Sequence, residues 1–315
     1  MTDPVLVCGS MAFDTIAVFE GRFKEQIMAD RIHALSVSFL VPSMRKEFGG
    51  CAGNIAYNMR LLGGRPVPVA TVGEDAGEYL ARLQDLGVDT GCLRVVPGTF
   101  TAQCFITTDL DDNQIAAFHP GAMEFSADND VSGRQAAWGI VAPDAKAGMF
   151  AHAERFRAMG LPFVFDLGQA MPLFDGADLE RMLSLAQVLT VNDYEAGVVE
   201  QRTGRSMAEL SRGLQAVVVT RGAQGSTLLI DGAEQTIAPV RPDAVVDPTG
   251  CGDAHRAGLL YGRTLGWDWA DCCRLANLMG AIKVASRGPQ NHAPTRDEIS
   301  RRLQDAYGLS LPAQA

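Results

Sequence analysis

The stretch that decides the fold runs WGIVAP (138–143), AGMFAHAERFRAMG (147–160), LPFVFDLG (161–168), DLERMLSLA (178–186), QVLTVN (187–192), DYEAGVVEQ (193–201) and QAVVVTRG (215–222). Short, continuously apolar runs rich in β-branched residues alternate with segments of helical periodicity. Strands that are apolar on both faces, each followed by a helix, specify an α/β fold whose parallel sheet is covered on both sides. GSTLLIDGAEQTIAP (225–239) closes the run as a hairpin. The same rhythm opens the chain: PVLVCGS (4–10), helix-like GNIAYNMRLLGG (53–64), PVPVATVG (66–73) and helix-like EDAGEYLARLQDLG (74–87). Ligands are expected at the carboxyl edge of such a sheet. Two stretches break the rhythm, residues 13–42 and 99–122, the second a hairpin with its turn at Asp111-Asp112-Asn113. They predict a small second β-sheet inserted as a lid, with residues 1–12, 43–98 and 123–315 forming the large domain.

Composition narrows the function classes. The 315 residues carry 27 Lys+Arg against 37 Asp+Glu, a net charge of −10, which argues against nucleic acid or anionic lipid as partner. Apolar runs are broken by Gly, Pro or charge well before membrane-spanning length, and the start, MTDPVLVCGS, lacks the basic and apolar regions of a leader. A cytoplasmic protein away from the membrane is the expectation. Seven Cys without a C-x-x-C pair and five scattered His argue against a structural zinc site or disulfide framework.

The strongest chemical signal is Asp247-Pro248-Thr249-Gly250-Cys251-Gly252-Asp253, which leads into an apolar helix. Consecutive small residues ahead of a helix turn backbone N–H groups toward one point, with the positive end of the helix dipole behind them, and this suits a phosphate. A carboxylate there repels bound phosphate. Asp253 therefore makes sense if it touches the phosphoryl acceptor and takes the proton from its hydroxyl as it attacks. On pattern alone, a Gly-rich loop with an acidic helix start reads equally well. The chain has no Gly-Lys pair, hence no Walker A motif, and no G-x-G-x-x-G after the first strand, which sets aside P-loop and dinucleotide readings.

The heptapeptide resembles the D-T-x-G-x-G-D signature of the ribokinase-like (PfkB) sugar and nucleoside kinases. Gly49-Gly50-Cys51-Ala52-Gly53-Asn54 resembles the family's N-terminal G-G-x-x-x-N, Asn192-Asp193-Tyr194-Glu195 its N-x-x-E, and Thr220-Arg221-Gly222-Ala223-Gln224-Gly225 its T-x-G-x-x-G turn, all in the family's order. The resemblance implies a doubly wound αβα domain with a lid, moving the ATP γ-phosphate onto a hydroxymethyl group. It implies Asp253 as catalytic base and the backbone of Gly250, Cys251 and Gly252 as anion hole. Asp14, Gly50 and Asn54 would hold the acceptor sugar, a carboxylate being able to accept both hydrogen bonds of a vicinal diol. Asn192 and Glu195 would organise Mg²⁺ through its waters, a task for hard oxygen donors. Thr220, Gly222 and Gly225 would serve the nucleotide, with Asn277 beside the adenine. Asp247, Thr249 and the 285–290 loop would hold a monovalent cation such as K⁺ through carbonyls.

Two positions depart from the family pattern: Pro248 replaces the commoner Thr and removes a backbone donor, and His255 replaces an aromatic. His255 is read as a packed helix residue, since two positions on a helix turn it away from Asp253. The strings VFEGRFKE (18–25), SFLVPSMRKEFGGCAGNIAYN (38–58) and FITTDLDDNQIAAFHPGAM (105–123) resemble bacterial and archaeal nucleoside kinases of the adenosine kinase kind more than ribokinases or fructokinases. A nucleoside base needs an apolar, stacking surface, and Phe13, Phe100, Phe105 and Phe118 lie in or beside the lid segments. The expected activity is ATP-dependent phosphorylation of a purine nucleoside at its 5′-hydroxyl. A sugar kinase and a non-catalytic ligand-binding relative are the alternatives. Lid strand edges offer pairing to a second copy as a homodimer, or cover by loops.

Overall fold

The computed structural model describes residues 3–27, 36–111 and 113–313. Its main sheet has nine strands: β1 (Pro4–Cys8), β4 (Arg65–Val72), β5 (Leu93–Val95), β8 (Trp138–Val141), β9 (Phe163–Asp166), β10 (Val188–Asn192), β11 (Ala216–Thr220), β12 (Ser226–Ile230) and β13 (Ala233–Ile237), in the spatial order β13-β12-β11-β10-β9-β8-β1-β4-β5. All pairings are parallel except β11–β12 and β12–β13, the expected hairpin. Strand order reverses at β1, whose neighbours β4 and β8 lie on opposite sides, so a crevice opens beyond its carboxyl end.

Successive residues of a strand face opposite ways, and both faces are apolar. Val5, Val7, Val188 and Val218 pack on one side with Ile55 and Met59 of the helix Cys51–Leu61 and with Ala257 and Leu260 of the helix Cys251–Thr264. Leu6, Leu189 and Val217 pack on the other with Phe156 of the helix Lys146–Ala158 and Met182 of the helix Gly176–Leu185. Among the described residues no helix is long and apolar enough to cross a membrane.

The second sheet has four strands, β2 (Ala12–Val18), β3 (Ser43–Gly49), β6 (Ala102–Thr108) and β7 (Gln114–His119), in the order β3-β2-β6-β7. The sequence boundary is corrected here: β3 pairs antiparallel with β2 over its whole length, so residues 43–49, assigned above to the large domain, belong to the small sheet. Much of the segment thought to supply its strand, 28–35, lies outside the described residues. The hairpin turn is organised by Asp109, whose carboxylate accepts from the N–H groups of Asp111, Asn113 and Phe23; Asp112 lies outside the described residues. β5 and the short 3₁₀ stretch Gly121–Asp128 carry no sequence signal of their own.

Candidate active site

A cavity of about 690 Å³ lies along the carboxyl edge of the main sheet, lined by Asp166, Asn192, Glu195, Thr220, Gly222, Gly250, Gly252, Asp253 and Arg256 among others. Two helices, Asp193–Thr203 and Cys251–Thr264, begin at it, so two sets of first-turn N–H groups and two positive dipole ends face the same space.

Gly250 caps the second of these helices at φ +77°, and a Cβ there would come 2.8 Å from the Pro289 Cβ, so only glycine fits. The turn spends one donor expected in the anion hole: the Cys251 N–H donates to the Pro248 carbonyl at 3.1 Å. The Gly252 and Asp253 N–H groups, at the second and third positions of the helix, are those that helix geometry leaves over. Burial pushes the Cys251 thiol up to about 11, although it stands at a helix N-terminus, where the positive dipole end favours a thiolate. All seven cysteines are free, and burial raises every one of them.

Asp253 Oδ2 accepts a hydrogen bond from Asn54 Nδ2 at 2.8 Å, joining two residues 199 positions apart. Asn54 is held in turn by Gln290 Nε2 at 3.0 Å, and the same amide donates to the Tyr79 hydroxyl at 2.7 Å, which donates to the Gly49 carbonyl at the end of β3. A buried polar chain thus runs from the small sheet to the carboxylate. Burial lifts Asp253 to about 6, Asp166 adds to this, and the Asn54 bond and Arg256 oppose it. Gly50, at φ +84°, begins the helix that carries Asn54; a Cβ there would lie 2.6 Å from the Met11 Cα and the Ser10 carbonyl.

Arg256 and Gln290 make side-chain contacts at the site that the sequence reading did not single out. Arg256 pairs with Asp166 through two bonds, at 2.9 and 3.1 Å, with only 6% and 4% of the two side chains exposed. The one available signal for Arg256 is its position three residues after Asp253, on the same helix face.

Asp14, on β2, is lifted to about 6 by burial and by Glu47. Residues paired across a sheet share a face. Glu47, Asp14, Cys104 and Phe118 form one such row, and Glu47 accepts from Asn291 Nδ2 at 2.7 Å, which sets that row beside the 287–291 loop. Phe105 pairs instead with Thr15 and Ala117 in the adjacent row and so points to the opposite face from Asp14. The register separates the two phenylalanines that the sequence reading grouped together.

At the start of the helix Asp193–Thr203, Asn192 and Glu195 form a reciprocal cap: the Glu195 N–H donates to Asn192 Oδ1 at 2.7 Å, and the Asn192 N–H donates to Glu195 Oε2 at 2.8 Å. Burial raises Glu195 above the usual carboxylate range. Thr220 and Gly222 line the cavity. Gly225 (φ +84°) packs against the Ile237 carbonyl, and Asn277 is buried with its amide donating to the Ile237 and Ala238 carbonyls at 3.3 and 3.1 Å; the structure brings neither to the cavity. His255 is buried and pushed down to about 3, a neutral packed side chain.

A family model described as pfkB family carbohydrate kinase matches residues 5–296. The chain belongs to that family. Among similar pfkB-type proteins, a nucleoside kinase from Methanothermobacter thermautotrophicus is 30% identical over 95% of this chain and 98% of its own. The structure of Burkholderia thailandensis nucleoside kinase in complex with inosine is 50% identical, with a TM-score of 0.88 over 98% of this chain and 100% of that one. The same protein in complex with ADP-inosine gives a TM-score of 0.86 at 50% identity, covering 98% of each chain. This pfkB member is therefore a phosphotransferase acting on an alcohol acceptor, with Asp253 at the helix start that defines the cavity.

Proposed function

We propose that the protein transfers the γ-phosphate of ATP to the 5′-hydroxyl of a nucleoside, with purine nucleosides preferred. The observation that carries this reading is the Asp253 carboxylate, fixed by Asn54 at the start of a helix whose free N–H groups border the cavity. Asp253 takes the hydroxyl proton, and the Gly252 and Asp253 N–H groups with Gly250 stabilise the phosphoryl group in flight. Asp14 and Asn54 hold the ribose diol, with Gly50 fixing the helix entry, and Phe118 supports the base. Inosine in the Burkholderia thailandensis relative supports a purine acceptor here.

Mg²⁺ suits the cavity as an ion brought by the nucleotide. Among the described residues no three His, Cys, Asp or Glu side chains form a metal cage, and Mg²⁺ characteristically keeps its waters and takes few protein ligands. Glu195 and Asn192 would hold it through those waters, and bound Mg²⁺ neutralises charge on the phosphates. A homodimer through the exposed β7 edge belongs to the same reading, since an unpaired strand edge offers its hydrogen bonds to a second copy.

The deciding experiment measures kcat/KM at fixed MgATP for adenosine, inosine, guanosine, cytidine, ribose and fructose. Purine nucleosides are expected to lead. Comparable efficiency on ribose or fructose returns the protein to the sugar kinases, and no transfer to any acceptor makes it a binding protein.

A further inference from the structure

Lys283 stands in the last turn of the helix Trp269–Val284, and none of its surface is accessible. Its ammonium donates to the Asp247 carbonyl at 2.8 Å and to the Ser286 carbonyl at 3.0 Å. A buried charge is retained only where acceptors compensate it. Burial lowers Lys283 below the ordinary lysine range, while the carboxylates of Asp247 and Glu47 hold it up.

The two carbonyls belong to the two loops that flank the anion hole. One runs from Asp247 to Gly250 and starts the helix of Asp253; the other, 285–290, presses Pro289 against Gly250. Their remaining ties converge on the same place. The Val246 and Asp247 N–H groups donate to the Val284 carbonyl, and the Asp247 carboxylate accepts from the Gly288 and Thr249 N–H groups at 2.8 and 2.9 Å. Carbonyls of separate loops aimed at one point form the ligand set of a hard cation. That is the place where the resemblance implied K⁺. An ammonium on a stem and a free cation cannot share the same oxygens, so these residues do not fit K⁺.

We infer that the Lys283 ammonium takes the place of a monovalent cation in this chain, joining the Asp247 and Ser286 carbonyls and holding the Gly250 turn in register, so that phosphoryl transfer is independent of added K⁺. Lys283 is a positioning residue that acts through the loop and touches no substrate. The rate measurements below rest on the kinase reading; the thermal ones do not.

The test compares the wild-type chain in K⁺, Na⁺ and tetramethylammonium chlorides at matched ionic strength, reading both the rate and the thermal midpoint. Both are expected to be the same in the three salts. Lys283→Met keeps the stem and removes the charge. Because displacing a catalytic group by about an ångström costs on the order of 10²-fold, kcat is expected to fall roughly 10- to 100-fold with little change in acceptor KM. K⁺ or ammonium, small enough to enter the vacated position, should restore much of that loss and raise the variant's thermal midpoint, whereas tetramethylammonium should not. Three results overturn the inference: a wild-type rate or midpoint raised specifically by K⁺, wild-type kcat in K283M without a small cation, or a loss that neither K⁺ nor ammonium repairs. If K283M does not fold, the wild-type salts decide alone. Absence of transfer in every salt would overturn the kinase reading while the thermal comparison still reports on the cation position.

Discussion

Two carboxylates of the proposed acceptor site are held above the ordinary carboxylate range. Asp253 and Asp14 are both lifted to about 6, each chiefly by burial, from a usual value of 3.8. A base works only when ionised, so the sign is fixed: activity approaches its full value about a unit above pH 6 and falls as the pH drops through 6. With both groups required, the logarithm of acceptor kcat/KM should fall with a slope approaching two on the acid side, and Asp14→Asn should reduce that slope to one. Asp253→Asn keeps an oxygen for the Asn54 amide, so the fold should stand while kcat falls by ~10²–10⁴. Retention of more than about a tenth of the rate would remove Asp253 from proton transfer. Arg256 and Asp166 make the companion case, a buried pair whose value lies in its completeness. Arg256→Met leaves an uncompensated carboxylate and should cost about 3–5 kcal/mol of stability, and adding Asp166→Leu should return most of it. Denaturant unfolding of the single and double variants measures both.

At the scale of elements, the helix Asp193–Thr203 shows a single residue serving two needs. Glu195 closes the cap with one oxygen and lines the cavity. Glu195→Gln retains a cap acceptor and removes the charge, so the helix should persist while the free Mg²⁺ needed for half-maximal rate rises. An unchanged Mg²⁺ requirement with a raised acceptor KM would move Glu195 to the acceptor side. Elements were also what the sequence conveyed best. The strands of the main sheet other than β5, and most of its helices, are local patterns of apolar periodicity, legible because each segment carries its own signal. β3 carries a weaker one: SMRKEFG mixes charge with few apolar residues, and it becomes a strand because β2 lies beside it. The site divides along the same line. Asp253, Asn54 and Gly250 announce themselves within short motifs. Gln290, Lys283 and Arg256 act through partners 236, 36 and 90 positions away, and no local pattern encodes such pairings.

At the scale of the molecule, the hydrogen-bond chain from Gly49 of the small sheet to Asp253 of the main domain brackets the proposed acceptor site, and this is where nucleoside and free sugar should part. The ribose diol is common to both and cannot discriminate. A purine face of roughly 100 Å² buried against the small sheet contributes about 2.5 kcal/mol at ~25 cal/mol per Å², and one aromatic stack adds about 0.5–1.5 kcal/mol. The sum favours purine nucleosides by roughly 100- to 1000-fold in kcat/KM, with part of it in kcat because closure excludes water and aligns the hydroxyl. The seven thiols carry a different consequence. Peroxide attacks the thiolate, and the reactive fraction falls about tenfold for each unit by which burial lifts a thiol. A cysteine inside an anion hole is ordinarily a point of oxidative failure, where one sulfenic acid silences the catalyst. Here the packing that lifts Cys251 and its six counterparts lowers the fraction of each held as thiolate, so activity should survive a peroxide dose that inactivates a thiol-dependent enzyme, and a loss of activity tracking oxidation of Cys251 would show otherwise.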